Sequence, residues 1–438
     1  MRFLALIAAL LSLIAAKNAQ AEEKRTVPDY DGRDAEPTTA EDVALWVPRI
    51  VLSPVYVATE YGIRWPLSLI IPALEEAGLR DWFASKSDYI VLPTVVIDFG
   101  FRPSIGVYSG INNLWFEGHE VRARFAFGGL GFWKVKLKDR VVFDRGRQRI
   151  GIYGGFRQRE DDTFGGIGPD IDYDIDTVGR FTTQLIDAGL RYDYGLKRLT
   201  HLRVVGAFHH TTFEDEACCG PPLVRQIADG LIEEPNGFAE GHRTVRSELS
   251  GAIDTRKNLR SRGAWVRAQT NLSADVSVER PGEQRWMNYG VDLGGGLEPG
   301  WPGRRLSLSV AALFADPLAE EDIPFDGLVR LGGDPYMRGF GGDALYGRSA
   351  VVATARYLWP IWALLDGTMH FAVGNVYGPH LEDFDAEKLR MSFGIGVSTS
   401  YIDEESLFDI LLAFGTETFE QGTHLAAVRF AFGITEGF

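Results

Sequence analysis

The chain is poor in the features that most often give chemistry away. Its 438 residues include two cysteines, Cys218 and Cys219, and these are adjacent. Cysteine metal sites use spaced pairs such as C-x₂-C, which argues against zinc and leaves a disulfide between neighbours or two exposed thiols. There is no G-x-S-x-G elbow, no H-E-x-x-H and no phosphate-binding P-loop, so neither an enzyme nor a cofactor is expected. A basic excess is missing too. The formal net charge is -15 and the pI about 5.1, which argues against a nucleic-acid partner. Long apolar runs are also scarce. With 24% charged residues and a mean hydropathy of -0.07, the chain cannot be a bundle of membrane helices, each needing about 20 apolar residues.

What the chain does have is glycine, phenylalanine and a period of two, with 50 Gly and 27 Phe. Val121, Ala123, Phe125 and Phe127 alternate with Arg122, Arg124 and Ala126. Trp133, Val135 and Leu137 alternate with Lys134, Lys136 and Lys138, and Val428, Phe430, Phe432 and Ile434 with Arg429, Ala431, Gly433 and Thr435. Such patterns place apolar side chains on one face of a sheet and polar ones on the other. About sixteen such segments fill residues 88–435. The long links, 159–179, 213–241 and 316–348, all follow odd-numbered segments, whereas short links such as 144–147 and 298–303 follow even ones. A soluble sandwich gives no reason for that asymmetry; a barrel with short periplasmic turns and long extracellular loops does. The predicted fold is therefore all-β, an antiparallel transmembrane β-barrel of about 16 strands over residues 88–438, in a bacterial outer membrane.

Ahead of the barrel, residues 1–21 read as a secretory signal: Arg2, an apolar core from Phe3 to Ala16, and the cleavage site Ala19-Gln20-Ala21. No cysteine follows that site, which argues against a lipid anchor. Residues 22–38 form a polar, flexible lead-in. Residues 39–87 read as short amphipathic helices at the periplasmic side, opened by the capping box Thr39-Ala-Glu-Asp42 and divided by Pro48, Pro54, Pro66 and Pro72. Their Trp and Tyr suit a membrane interface; the alternative is that they plug the barrel's periplasmic mouth.

The stretch from Leu331 to Gly342 is rich in glycine (Gly333, Asp334, Arg338, Gly339 and Phe340 among its residues). Met337-Arg338-Gly339-Phe340 resembles the VRGF/Y signature of the BamA/TamA superfamily of outer-membrane barrels. Phe164-Gly-Gly-Ile-Gly-Pro-Asp170 resembles the family's GIGPD segment. Asp254-Thr-Arg256-Lys-Asn258 with Gly263 resembles its D-x-R-x-N…G turn, and Gly374-Asn375-Val376-Tyr377 the end of its F-x-D-x-G-N-V strand. The resemblance implies a loop folded into the lumen with its arginine docked on the inner wall. It also implies a weakly paired seam between first and last strands, here Val95, Ile97 and Phe99 against Phe430 and Phe432. The terminal Phe438 resembles the signal by which outer-membrane barrels are recognised for assembly.

Departures from the family pattern are specific. Ala372 stands where the family's arginine-accepting aspartate would be, His370 at its phenylalanine, and Arg356 where a glutamate is common. An unpaired buried charge is costly, so Arg338 needs substitute acceptors: luminal alternation offers Glu248 and Asp254, and carbonyls of the loop itself are the alternative. Family members usually carry POTRA modules before the barrel, and residues 22–88 are too few, so a POTRA-less member is expected. Its implied action is at the seam, on lipid movement or on membrane-protein assembly or translocation. Its implied partners are outer-membrane lipids, the barrel-assembly machinery, and a second copy or a periplasmic protein. The alternatives are a solute pore, with Arg122, Arg124, Lys134, Lys136 and Lys138 favouring anions, or a structural barrel that depends on a periplasmic partner. Asp170, Asp172, Asp174 and Asp176 alternate and would either hold Ca²⁺ or form a solvated acidic loop.

Overall fold

The computed structural model describes residues 46–68 and 88–436, apart from 172, 175–177, 198, 257–262, 300, 363–364 and 404–405. Sixteen antiparallel strands close into a barrel. They are β1 Tyr89–Asp98, β2 Ser104–Asn112, β3 His119–Phe127, β4 Phe132–Phe143, β5 Gln148–Phe164, β6 Gly179–Lys197, β7 Thr200–Glu214 and β8 His242–Asp254. There follow β9 Trp265–Ser277, β10 Arg285–Leu297, β11 Arg305–Pro317, β12 Ser349–Pro360, β13 Asp366–Tyr377, β14 Arg390–Asp403, β15 Ser406–Thr418 and β16 Leu425–Glu436. Each strand pairs with the next, and β16 returns to β1.

The period of two becomes a wall with opposite faces. Ile105, Leu137, Ile152, Leu190 and Leu308 point outward and are more than half exposed, while Thr94, Arg122, Asp275 and His370 point inward and are buried. An apolar surface running round the whole wall would aggregate in water and is stable in hydrocarbon. The links at 165–178, 215–241 and 318–348 all leave the same end, here called the loop end. There Phe164, Phe181, Phe213, Phe238, Phe325 and Tyr346 interlock with ring centroids 4.8–6.2 Å apart. This apolar core continues down onto small inward residues of the wall, Ala311, Ala350, Ala372 and Ala427. The loops thus fill the mouth of the barrel at that end.

Strand β5 outruns its expected end near residue 158 and continues to Phe164. Its upper part is a charged run in which alternation carries no apolar signal. Arg159 pairs with Asp161 at 2.6 Å instead, and the ladder to β6 shifts register between Arg159 and Asp162. The wall is therefore uneven: β5 and β6 have 17 and 19 residues, while β2 and β3 have 9 each. At the usual tilt, nine residues cover about 22–25 Å, no more than the apolar band of about 25 Å.

Helix α1, Trp46–Thr59, runs on through a π turn, Glu60–Arg64, into Trp65–Ser68. The expected break at Pro54 does not occur. Proline removes the donor to the carbonyl four residues back, and the Ser53 hydroxyl donates to that carbonyl, Ile50 O, at 2.8 Å. The rest of the predicted helical segment, 39–45 and 69–87, lies outside the described residues, as do the signal, the lead-in and Phe438.

Candidate functional site

The glycine-rich loop lies inside the barrel against β14, β15 and β16. Gly339 N donates to Ser392 Oγ at 2.7 Å, and a Cβ on Gly339 would stand 2.0 Å from Phe414 O. Only glycine permits so close an approach to the wall. Phe340 is fully buried, and its ring lies where a Cβ on Gly415 would be. Gly333 holds φ at +71° and accepts no side chain without strain, and its N–H donates to Phe340 O at 3.1 Å to close the turn. Arg338 is 4% exposed.

Its carboxylate partner is not one of the two expected. Asp254 is taken by Arg256 at 2.6 Å, and Glu248 accepts from Ser250 Oγ at 3.2 Å. Instead Asp334, four residues earlier in the same loop, lies 3.4 Å from Arg338 and 3.6 Å from Arg356. A carboxylate supplied by the loop itself is invisible to strand alternation, which offers only wall residues such as Glu248 and Asp254. Two other motifs meet nearby. Asn375 and Arg390 both donate to Pro169 O, at 3.0 and 3.4 Å, and the fully buried Arg390 pairs with Glu417 at 2.6 Å and donates to Ile171 O. The GIGPD-like and GNV-like segments thus form one anchor for the 165–178 link.

The seam is thin. β1 pairs with β2 over eight residue pairs, but with β16 at two, Ile97 with Phe432 and Asp98 with Ala431. One further bond runs from Phe99 N to Phe430 O at 3.1 Å, with the two rings edge to face at 5.9 Å. Of the residues expected at the seam, Ile97, Phe99, Phe430 and Phe432 meet there, while Val95 pairs with Ile105 of β2. Asn112 N donates to Asp88 O and Phe99 N to Phe430 O, so even-numbered residues of β1 bond β2 and odd-numbered ones face β16. Pro93 is odd-numbered and has no N–H to give. Across the paired part, Arg429 of β16 grips Asp98 of β1 with contacts of 2.8–3.0 Å and also donates to Arg338 O at 3.3 Å. Neither Pro93 nor this ion pair was singled out from sequence. The signal was present: β16 has one arginine, and it shares inward parity with the last residue of β1.

Helix α1 does not enter the lumen. Leu52, Val55 and Ile63 pack on Tyr357, Trp359, Met369, Ile395 and Val397, which are outward residues of β12, β13 and β14 near the short-turn end. Arg304, 3% exposed, donates to Thr59 Oγ1 at 2.8 Å, Glu60 Oε2 at 2.5 Å and Tyr357 OH at 2.9 Å, and stacks over Tyr56 at 4.4 Å. The far side of the helix exposes Trp46, Ile50, Val57, Tyr61 and Trp65.

Two lesser sites also resolve. Cys218 and Cys219 form a disulfide, with Cys218 N bonded to Glu160 O and Arg102 Nε donating to Cys218 Sγ at 3.0 Å. Asp170 pairs with Lys388 at 2.7 Å, Asp172 and Asp176 lie outside the described residues, and no group of three metal-ligating side chains occurs among the described residues.

No protein-family model matches the sequence, and no curated protein matches it. Among solved structures, the chain is similar to BamA from Haemophilus ducreyi lacking POTRA domains 1–3, with a TM-score of 0.52 and 10% identity over 80% of this chain and 70% of that one. It is also similar to CdiB from Acinetobacter baumannii, with a TM-score of 0.51 and 12% identity, covering 80% of this chain and 60% of that one. At such identities what is shared is architecture. The chain is a closed 16-stranded barrel with the fold of BamA and CdiB.

Proposed function

We propose that the protein works at its own seam in a bacterial outer membrane, letting lipid pass between β1 and β16. The observation that carries this reading is the seam itself: two residue pairs, with Pro93 unable to donate on the free edge. Strand edges left unpaired in hydrocarbon are costly, so the bilayer beside this edge is held in a perturbed state. The short strands β2 and β3 adjoin the same edge and favour local thinning. Helix α1, with its exposed Trp46, Tyr61 and Trp65, would crowd the periplasmic leaflet beside the outer wall. The loop end faces outward in this reading, and the short turns face the periplasm. Lipid is favoured over protein clients because the described residues ahead of the barrel form a helix, which offers no strand edge to an unfolded chain. An open pore is disfavoured by the apolar core that fills the loop end.

The test is lipid exchange in liposomes containing the purified protein, with fluorescent lipid in both leaflets and an impermeant quencher outside. Quenching beyond the outer-leaflet share, without loss of an encapsulated dye, supports passage along the wall. Quenching limited to that share rejects it, and dye loss at the same rate means an open lumen.

A further inference from the structure

The D-x-R turn finds a use that the seam does not need. Between the tip of the luminal loop and the short-turn end lies a cavity of about 170 Å³, and its lining includes Arg256, Arg267, Arg305 and Arg356. Its construction is specific. A Cβ on Gly296 would stand 2.7 Å from the Trp265 ring, so a bare glycine gives the indole its place on the wall. Arg256 stacks on that indole at 4.1 Å while Asp254 holds its guanidinium at 2.6 Å. Stacking and the carboxylate fix the fork in advance.

Each of the other three arginines has a carboxylate beside it: Arg267 has Asp292 at 2.9 Å, Arg305 has Asp366 at 3.5 Å and Arg356 has Asp334 at 3.6 Å. A guanidinium has five N–H donors and one carboxylate engages at most two, so the forks of Arg256 and Arg267 keep donors for a ligand. Among the described residues, three polar atoms of the lining are buried without a hydrogen-bond partner: the donors Arg267 Nε and Thr354 Oγ1, and the acceptor Asp292 Oδ1. Burial, with the nearby Asp292, pushes the Tyr336 phenol at the loop tip up to about 12, so it remains protonated.

We propose that this cavity binds a phosphate group, carried by a lipid headgroup or free in solution. Converging guanidiniums with a hydroxyl supply donors from several sides, which matches a tetrahedral phosphate better than a planar carboxylate. It lies below the loop, among residues of β9, β10, β11 and β12 towards their short-turn ends and Arg256 just past the end of β8. The site does not require the seam to open.

The test uses the full-length protein folded in detergent, titrated calorimetrically with inorganic phosphate and, separately, with dihexanoyl phosphatidylglycerol. Heat-modifiable gel mobility verifies that each variant is folded. Arg256→Lys keeps the charge but loses the stacked fork, and Arg356→Gln removes a second fork; each is expected to weaken binding about tenfold. Should Arg256→Lys fail to fold, Arg356→Gln decides. Competition between the two probes would assign the site to headgroups, and binding of phosphate alone to a soluble anion. If neither probe binds the folded wild type at millimolar concentration, or both variants bind unchanged, the site is wrong. Lipid exchange through the seam is read separately in liposomes, so failure of one result leaves the other standing.

Discussion

Arg429 and Asp98 form a two-oxygen ion pair across the barrel seam, with contacts of 2.8–3.0 Å. Both side chains are mostly buried, and the same guanidinium reaches Arg338 O in the luminal loop. The pair therefore closes the seam and ties the loop to it. Hydrogen bonds to charged groups contribute about 1.5–3 kcal/mol. Asp98→Asn is accordingly expected to speed lipid exchange roughly tenfold or more. Asp98 and Ala431 occupy the closer, non-hydrogen-bonded type of antiparallel pair, which suits a disulfide. Asp98→Cys with Ala431→Cys should stop exchange when oxidised and restore it on reduction, with the wild type measured under both conditions to account for Cys218–Cys219. Exchange that ignores the cross-link would place lipid passage elsewhere.

Pro93 gives an opposite expectation. Replacing it with valine returns an N–H to an odd-numbered position facing β16, in a strand where valine fits. The seam can then pair further, by about 1 kcal/mol per bond gained. Pro93→Val should slow exchange severalfold and raise the temperature at which the barrel loses its heat-modifiable mobility. A faster exchange would show that proline strengthens the seam.

Much of this was legible in the sequence, for reasons that also mark where legibility ends. Alternation is a local property, so Val121–Phe127 and Val428–Ile434 announced their strands and their faces. The three long links announced which end carries the loops. Pairing between β1 and β16 is the contact most distant in sequence, and nothing local encodes its length. Arg338 shows the same limit: alternation pointed to the wall residues Glu248 and Asp254, while the carboxylate came from Asp334 within its own loop. Helix α1 defied its prolines because Ser53 serves the carbonyl that Pro54 abandons. The sequence left two places for that helix, the membrane interface and the barrel mouth; no local pattern encodes the packing of Leu52 and Val55 on outward wall residues.

Gly339 tests whether the docked loop seals the lumen. Its missing Cβ would lie 2.0 Å from Phe414 O, a backbone atom that cannot step aside. Gly339→Ala should push the loop off β15, at a cost of about 1–3 kcal/mol. The expected readout is a larger single-channel conductance in planar bilayers. Gly342→Ala, where a Cβ would meet nothing within 4 Å, serves as the control and should leave conductance unchanged. Equal conductance in both variants would mean that the core at the loop end seals the barrel without the loop tip.

Arg304 tests whether helix α1 contributes to activity. Three acceptors and the Tyr56 ring surround its guanidinium, and Tyr56 stacks in turn on Trp301 at 4.7 Å. Arg304→Ala would leave Glu60 without that guanidinium and a void under the helix, weakening its attachment by about 3–5 kcal/mol. The barrel itself should persist, because none of the sixteen-strand ladder depends on this side chain. Arg49 donates to Pro299 O in the attached helix, so release should speed tryptic cleavage after Arg49 while heat-modifiable mobility is retained. If the helix perturbs the leaflet beside the wall, lipid exchange should fall severalfold in the same variant. Released helix with unchanged exchange would confine the activity to the seam, and slower exchange with an intact seam would make the attached helix a working part of the same machine.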